Sequence, residues 1–217
     1  MVTLARIHMT NPSEMDSSLK AWTQDIYPLR QRFGMPVVGA WINTHRNLFF
    51  WLVSYEGTRE EYEATHREYG VTPVRTNTEY TAFTAKREDV WLTPVVPLAS
   101  RNGSGESPRT EQLRIYTISP RHMDDFLKPW QEQVYPLRER YGFRTEGAWV
   151  SDERNQLYSY DRNHFFWIMS YDGTPEEFEA RDKEYFAAPE RAAINPDTRP
   201  FIAKSEIYFI TSVMPEM

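Results

Sequence analysis

The sequence contains no cysteine. That excludes a disulfide scaffold, a thiolate nucleophile, an iron–sulfur cluster and a cysteine-ligated zinc site. Glycine is scarce, 9 in 217 residues. Neither Gly-x-Gly-x-x-Gly nor a Walker-type loop occurs, which argues against phosphate-cradling nucleotide sites. His-Glu-x-x-His and His-x-x-x-His are missing, so no zinc hydrolase and no metal centre are expected. Gly-x-Ser-x-Gly is missing too, against the usual α/β-hydrolase. No apolar run approaches the ~20 residues needed to cross a bilayer. The first residues, Met1-Val2-Thr3-Leu4-Ala5-Arg6, hold no apolar signal core. A cytoplasmic protein without a membrane partner is expected. Positive charge is in deficit: 25 Lys+Arg against 31 Asp+Glu give −6. A nucleic-acid partner, which calls for a basic face, is therefore not expected.

What the chain has is aromatic residues, 15% of the total with 7 tryptophans, within 40% hydrophobic residues. That composition buries a core. The chain also contains itself twice. Residues 6–42 align with 114–150 at an offset of 108, identical at 17 of 37 positions. Residues 47–69 align with 163–185 at an offset of 116, identical at 14 of 23. Phe83, Ala85 and Lys86 then match Phe201, Ala203 and Lys204. Each copy is roughly a hundred residues, far too long for a solenoid repeat. The expected division is 1–98, a Gly/Ser/Pro-rich linker at 99–111, and 112–217.

Each copy reads as strand, helix, strand, strand, helix, strand. In the first copy Met15, Leu19, Trp22, Ile26, Leu29 and Phe33 step by 4, 3, 4, 3, 4, the helical period. Ser13 with Asp16 suits a capping pair. Pro28 and Pro136 should kink or restart their helices, and Gly34 and Gly142 should end them. Thr58 opens a second helix whose Tyr62, His66 and Tyr69 share a face. In the second copy a longer connection, Ser151–Arg162, holds Tyr158 and Tyr160. It reads as a lid or an extended hairpin. The expected fold is α+β: two tandem ferredoxin-like β-α-β-β-α-β units, packed as an intrachain pseudo-dimeric α/β barrel.

Arg114-Ile115-Tyr116, the Gly147-Ala148-Trp149 strand, the aromatic strand ending in Tyr171 and the Glu-rich second helix resemble the NIPSNAP family of the dimeric α/β-barrel superfamily. The resemblance spans nearly the whole chain, once per copy. It implies the fold above and kinship with cofactor-free monooxygenases, small lyases and isomerases, and haem proteins. It implies no particular reaction. The first copy departs from the pattern, with His8 in place of Tyr116.

Residues shared by both copies hold the fold or line an aromatic ligand pocket: Trp22 and Trp130, Tyr27 and Tyr135, Arg6 and Arg114. A strand arginine between covered faces needs a carboxylate, a carbonyl or an anionic ligand. Asp16, Asp124 or a second-helix Glu are the expected partners. Residues that differ between copies are the candidate proton carriers: His8 (Tyr116 in the second copy), His66 (Asp182) and His164 (Leu48). Strand alternation places Arg6 with His8, and Arg114 with Tyr116. Arginine would bind the oxyanion of an enolisable or phenolic ligand while His or Tyr moves a proton. His45 and His122 are expected at the surface. The functional expectation is a cofactor-independent small-molecule enzyme of bacterial specialised metabolism: an isomerase, cyclase, lyase or oxygenase. The alternatives are a non-catalytic binding or assembly protein and a haem protein ligated through His66, His164 or Tyr69.

Overall fold

The computed structural model describes residues 1–99, 108–152 and 163–215. Residues 100–107 of the expected linker, and Tyr158 and Tyr160 of the expected lid or hairpin, lie outside the described residues. The chain divides into two compact units, Met1–Leu92 with Thr211–Met217, and Thr93–Ile210.

The first unit begins with β1 (Val2–Thr10) and a helical stretch, α1 (Met15–Ala21) and α2 (Tyr27–Arg32). The two are separated by a wide π-helical turn, Trp22–Ile26. Its position follows from Pro28, whose ring lacks an N–H and would collide with the carbonyl four residues earlier. One wide turn absorbs the misfit and lets α2 restart with proline in its first turn. The expected Ser13–Asp16 cap does not form. Ser13 adopts a positive φ of 66°, and α1 starts without a side-chain cap. Gly34 ends the stretch at φ +64°, a left-handed conformation that glycine adopts without strain.

Next come β2 (Val37–Asn43) and β3 (Leu48–Tyr55), joined by a short 3₁₀ turn. Then follow α3 (Arg59–Gly70), a single-turn α4 (Pro73–Asn77), a 3₁₀ turn Glu79–Phe83 and β4 (Thr84–Val96). α3 is started by a capping box: Thr58 Oγ1 accepts the Glu61 N–H at 3.2 Å, and the Thr58 N–H donates to Glu61 Oε2 at 2.8 Å. β1 lies between β3 and β4, and β2 pairs with β3, all antiparallel. Ile42 and Trp41 also pair with Thr211 and Ser212.

The second unit repeats the plan. It runs β5 (Arg109–Ile118), α5 (Met123–Pro129), a π turn Trp130–Val134, α6 (Tyr135–Arg140), β6 (Arg144–Ser151), β7 (His164–Asp172), α7 (Pro175–Ala187), α8 (Pro189–Ala192) and β8 (Ile202–Ser212). β5 lies between β7 and β8, and β6 pairs with β7. The strand starts at Arg109, inside the span expected as linker.

Each sheet has one face against its helices. In the first unit Phe49, Trp51 and Val53 of β3 meet Trp22, Ile26 and Leu29. In the second, Phe165, Trp167 and Met169 meet Trp130, Val134 and Leu137. Trp22, Trp51, Trp130 and Trp167 are all among the largest fully buried side chains. The opposite faces are buried as well, Trp41 and Phe50 completely. The Gly-x-Trp motif is explained here. A Cβ on Gly39 would stand 2.2 Å from the Trp41 indole, and one on Gly147 2.3 Å from Trp149. Only glycine lets the indole lie back across its own strand.

Candidate functional site

The helix-facing side of each sheet carries buried charge, which costs free energy unless it is paired. In the first unit Arg6, on β1, sits opposite Trp51 on one side and Asp89 on the other. Its Nε and Nη2 donate to the two Asp89 carboxylate oxygens, each at 3.0 Å. This bidentate geometry is the strong one for arginine. Neither Asp16 nor Asp124 fills the expected role. The partner comes from the neighbouring strand, where β-pairing fixes its register. The Arg6 guanidinium holds the Asp89 carboxyl below the usual carboxylate range against burial, which acts the other way.

His8 lies two residues along, 2% exposed. Its Nδ1 is 2.6 Å from the Tyr80 hydroxyl, and its Nε2 has no hydrogen-bond partner among the described residues. Burial first, and the Arg6 charge second, hold His8 well below the usual histidine range. It is a neutral imidazole at physiological pH. Burial also pushes the Tyr80 hydroxyl up, so it stays protonated. A groove of about 520 Å³ borders the turn that carries Tyr80, lined by Lys20, Gln24, Asp25, Thr78 and Glu79 among others.

Arg30, on α2, reaches the same layer and is fully buried. Its Nη1 donates to the Tyr62 hydroxyl at 3.2 Å, with Met35 Sδ at 3.9 Å. Its guanidinium lies over the rings of Trp51 at 5.0 Å and Tyr69 at 4.7 Å. Its Nε and Nη2 have no partner, and no carboxylate pairs with it among the described residues. Burial, with Arg6 nearby, lowers its pKa. His66 stacks between Tyr62 and Tyr69 on α3, at 5.6 and 5.4 Å. It is half-buried, its Nδ1 is unpartnered, and burial with the Arg30 charge lowers its pKa to about 3.

The second unit has the same arginine pair with a different counter-charge. Arg114 Nε donates to Gln112 Oε1 at 2.6 Å, and its Nη1 to the Tyr116 hydroxyl at 3.4 Å. Its Nη2 meets both oxygens of Asp182 at 3.3 Å. Asp182 stands on α7 at the position of His66 and also pairs directly with Arg138, the counterpart of Arg30. One carboxylate thus bridges two buried guanidiniums. The expected second-helix partner exists here, as an aspartate. Arg138 also lies over the Tyr185 ring at 3.6 Å.

Trp22 and Trp130 sit in the middle of these layers, edge-on to Trp51 and Trp167. Tyr27 and Tyr135 flank them at 5.4 and 5.7 Å, half-buried. His164 is placed apart. Arg114 and Tyr116 pair across the sheet with Trp167 and Phe165, so His164 projects from the other face of β7. His45 and His122 are exposed. Among the described residues no three His, Asp or Glu gather as a metal site, and no helix is long and apolar enough to cross a membrane.

Arg30, Arg138, Asp89 and Tyr80 were not among the residues singled out from the sequence, and Asp182 was noted only as the counterpart of His66. The signal for the arginines was present: Tyr-Pro-Leu-Arg recurs intact in both copies.

Residues 111–214 match the family model for NIPSNAP. The second copy is a NIPSNAP domain. The first copy is its repeat, by the identities above. Solved structures share the fold of this chain over almost its full length. An anthrone oxidase-like protein superposes with a TM-score of 0.68 at 12% identity, covering 98% of this chain and 91% of its own. A protein of Fusobacterium nucleatum, provisionally named a monooxygenase, gives 0.63 at 10% identity, with 98% and 92% covered. Another of that provisional name from Lactobacillus acidophilus gives 0.59 at 9%, with 97% and 93% covered. No curated protein matches the sequence.

Proposed function

We propose that the first unit is the working half of a cofactor-independent enzyme acting on an enolisable or phenolic small molecule, and that the second unit is its structural counterpart. The observation that carries this reading is His8. It is a buried neutral imidazole that, as the tautomer donating Nδ1–H to the Tyr80 oxygen, keeps an unpartnered Nε2 lone pair in the field of Arg6 and Arg30. A group of that kind accepts a proton from an acidic carbon or hydroxyl. The arginines stabilise the oxyanion left behind. The developing negative charge also raises the basicity of His8, which Arg6 otherwise depresses, so proton and charge separate in one concerted setting. In the second unit Tyr116 replaces the imidazole, and Asp182 already pairs with both arginines.

The names of the fold relatives favour an oxygenase over an isomerase or lyase. A resonance-stabilised carbanion can reduce dioxygen itself. For anthrone the balance is anthrone plus dioxygen to anthraquinone plus water: the C–H proton goes to His8, the carbanion's electron pair forms a C–O bond to dioxygen, and the peroxide oxygen takes the proton back from His8. The resulting hydroperoxide loses water to form the second carbonyl.

Anthrone is the first substrate to test, with oxygen uptake and quinone absorbance as readouts. The wild type should exceed the buffer background at least tenfold. His8→Gln should lose most of that excess while its Tm stays within a few degrees. Equal rates for wild type and His8→Gln would overturn the assignment of His8.

A further inference from the structure

The two copies differ in where the carboxylate of the arginine layer stands, Asp89 beside Arg6 and Asp182 between Arg114 and Arg138. Arg30 and Arg138 occupy equivalent places at the end of the repeated Tyr-Pro-Leu-Arg block, and both are essentially inaccessible. Arg138 has a carboxylate, supplied by Asp182 from the second helix. Arg30 faces His66 at that position, an uncharged ring that cannot neutralise it. Asp89 does not substitute. Its two oxygens are engaged by Arg6, and Arg87 approaches one of them at 3.6 Å. Breaking a buried ion pair by deleting one partner is strongly destabilising, because a buried charge is left uncompensated. The first unit has that arrangement, with Arg30 Nε and Nη2 and His66 Nδ1 all buried and unpartnered among the described residues.

We propose that the first unit binds a small organic monocarboxylate, whose carboxylate lies between Arg30 and His66 in the place that the Asp182 side chain takes in the second unit. The proposal rests on the reading of this unit as a ligand site and names the anionic group of its ligand. A carboxylate is favoured over a phosphate on two grounds. The internal copy fills the same place with a carboxylate, and one unpaired guanidinium calls for one negative charge. The surrounding rings of Tyr62, Tyr69, Trp22 and Trp51 favour an organic body on that carboxylate. His66 and Asp89 are the partly exposed members of the cluster, so the anion enters beside α3.

The test uses benzoate as the carboxylate probe, benzamide as its neutral isostere and inorganic phosphate as the competing anion, with calorimetry and thermal shift on the full chain. Benzoate should bind saturably and raise Tm, while benzamide and phosphate at the same concentration should not. Arg30→Met should weaken benzoate at least tenfold. His66→Asp, which builds the second unit's carboxylate into the first, should weaken it at least tenfold while raising Tm. That second variant keeps the test decisive where Arg30→Met folds poorly. Equal binding of benzoate and benzamide, an equal shift by phosphate, or full benzoate affinity in His66→Asp would each overturn the proposal. Anthrone turnover separates the two claims. Benzoate binding without any turnover sustains the anion site and sinks the proposed reaction. Turnover without benzoate binding does the reverse.

Discussion

The two halves of this protein repeat one sequence pattern, and the clearest difference between them is where each keeps its carboxylate. The second unit places Asp182 on its second helix, where it reaches both Arg114 and Arg138. The first unit places Asp89 on its last strand, directly beside Arg6, and puts His66 on the helix. At the position of Asp89 the second unit has Ile207, across from Arg114. The aromatic layers differ far less: Trp22 over Trp51 and Trp130 over Trp167 repeat at centroid distances of 5.7 and 5.1 Å. The fold is held in duplicate while the polar layer has diverged. A stable scaffold frees one copy to keep an uncompensated charge, and strained or unpaired groups of that kind gather at functional sites.

The largest effect should come from removing the bridging acid. Asp182→Ala leaves two buried guanidiniums without their carboxylate and should cost about 3–5 kcal/mol in chemical denaturation. His66→Ala removes no ion pair and should cost well under half as much. Similar losses from both would erase the distinction drawn here. Trp22→Ala and Trp130→Ala should each cost ~3–5 kcal/mol and agree within about 1 kcal/mol, because the two aromatic layers are equivalent. A large disparity would show that the layers differ in packing after all.

The pH dependence should be asymmetric too. His8 and His66 have folded-state pKa values below the ordinary histidine value of 6.5, through burial and neighbouring arginines. Above pH 6.5 both states hold them neutral. Below it the unfolded chain takes up protons that the folded chain refuses, so stability falls as pH falls, by up to ~1.4 kcal/mol per pH unit for each histidine. For His66 the loss levels off near pH 3, its folded-state value. His66→Gln should flatten the curve between pH 6.5 and 4, and an unchanged curve would count against its burial beside Arg30. The smallest effect belongs to His164→Ala, which should stay within about 0.5 kcal/mol and leave turnover intact, since that ring projects away from the arginine layer.

The repeat, the strand and helix order and the aromatic core were legible because each follows from periodicity and from identity at fixed offsets. Arg6 with His8 and Arg114 with Tyr116 were legible from strand alternation. Their partners were not. Asp89 is 83 residues from Arg6 and Asp182 is 68 from Arg114. The sheet register that joins them depends on which strands become neighbours, a tertiary property. Arg30 was hidden for another reason: it sits within a block whose conservation between copies reads as helix packing, and only the fold turns its side chain inward. The Ser13 cap failed because Ser13 takes a left-handed turn before the helix begins. His164 was singled out for its residue type alone, and its alternation with Phe165 already placed it on the other face.

The reciprocal exchange of one residue between the halves tests the account most directly. His66→Asp and Asp182→His are compared with the wild type in one denaturation series. His66→Asp should gain about 1–2 kcal/mol by giving Arg30 a carboxylate, and Asp182→His should lose about 3 kcal/mol or more by taking one from Arg114 and Arg138. Equal destabilisation by both exchanges would contradict the claim that the first unit carries an unmatched buried charge.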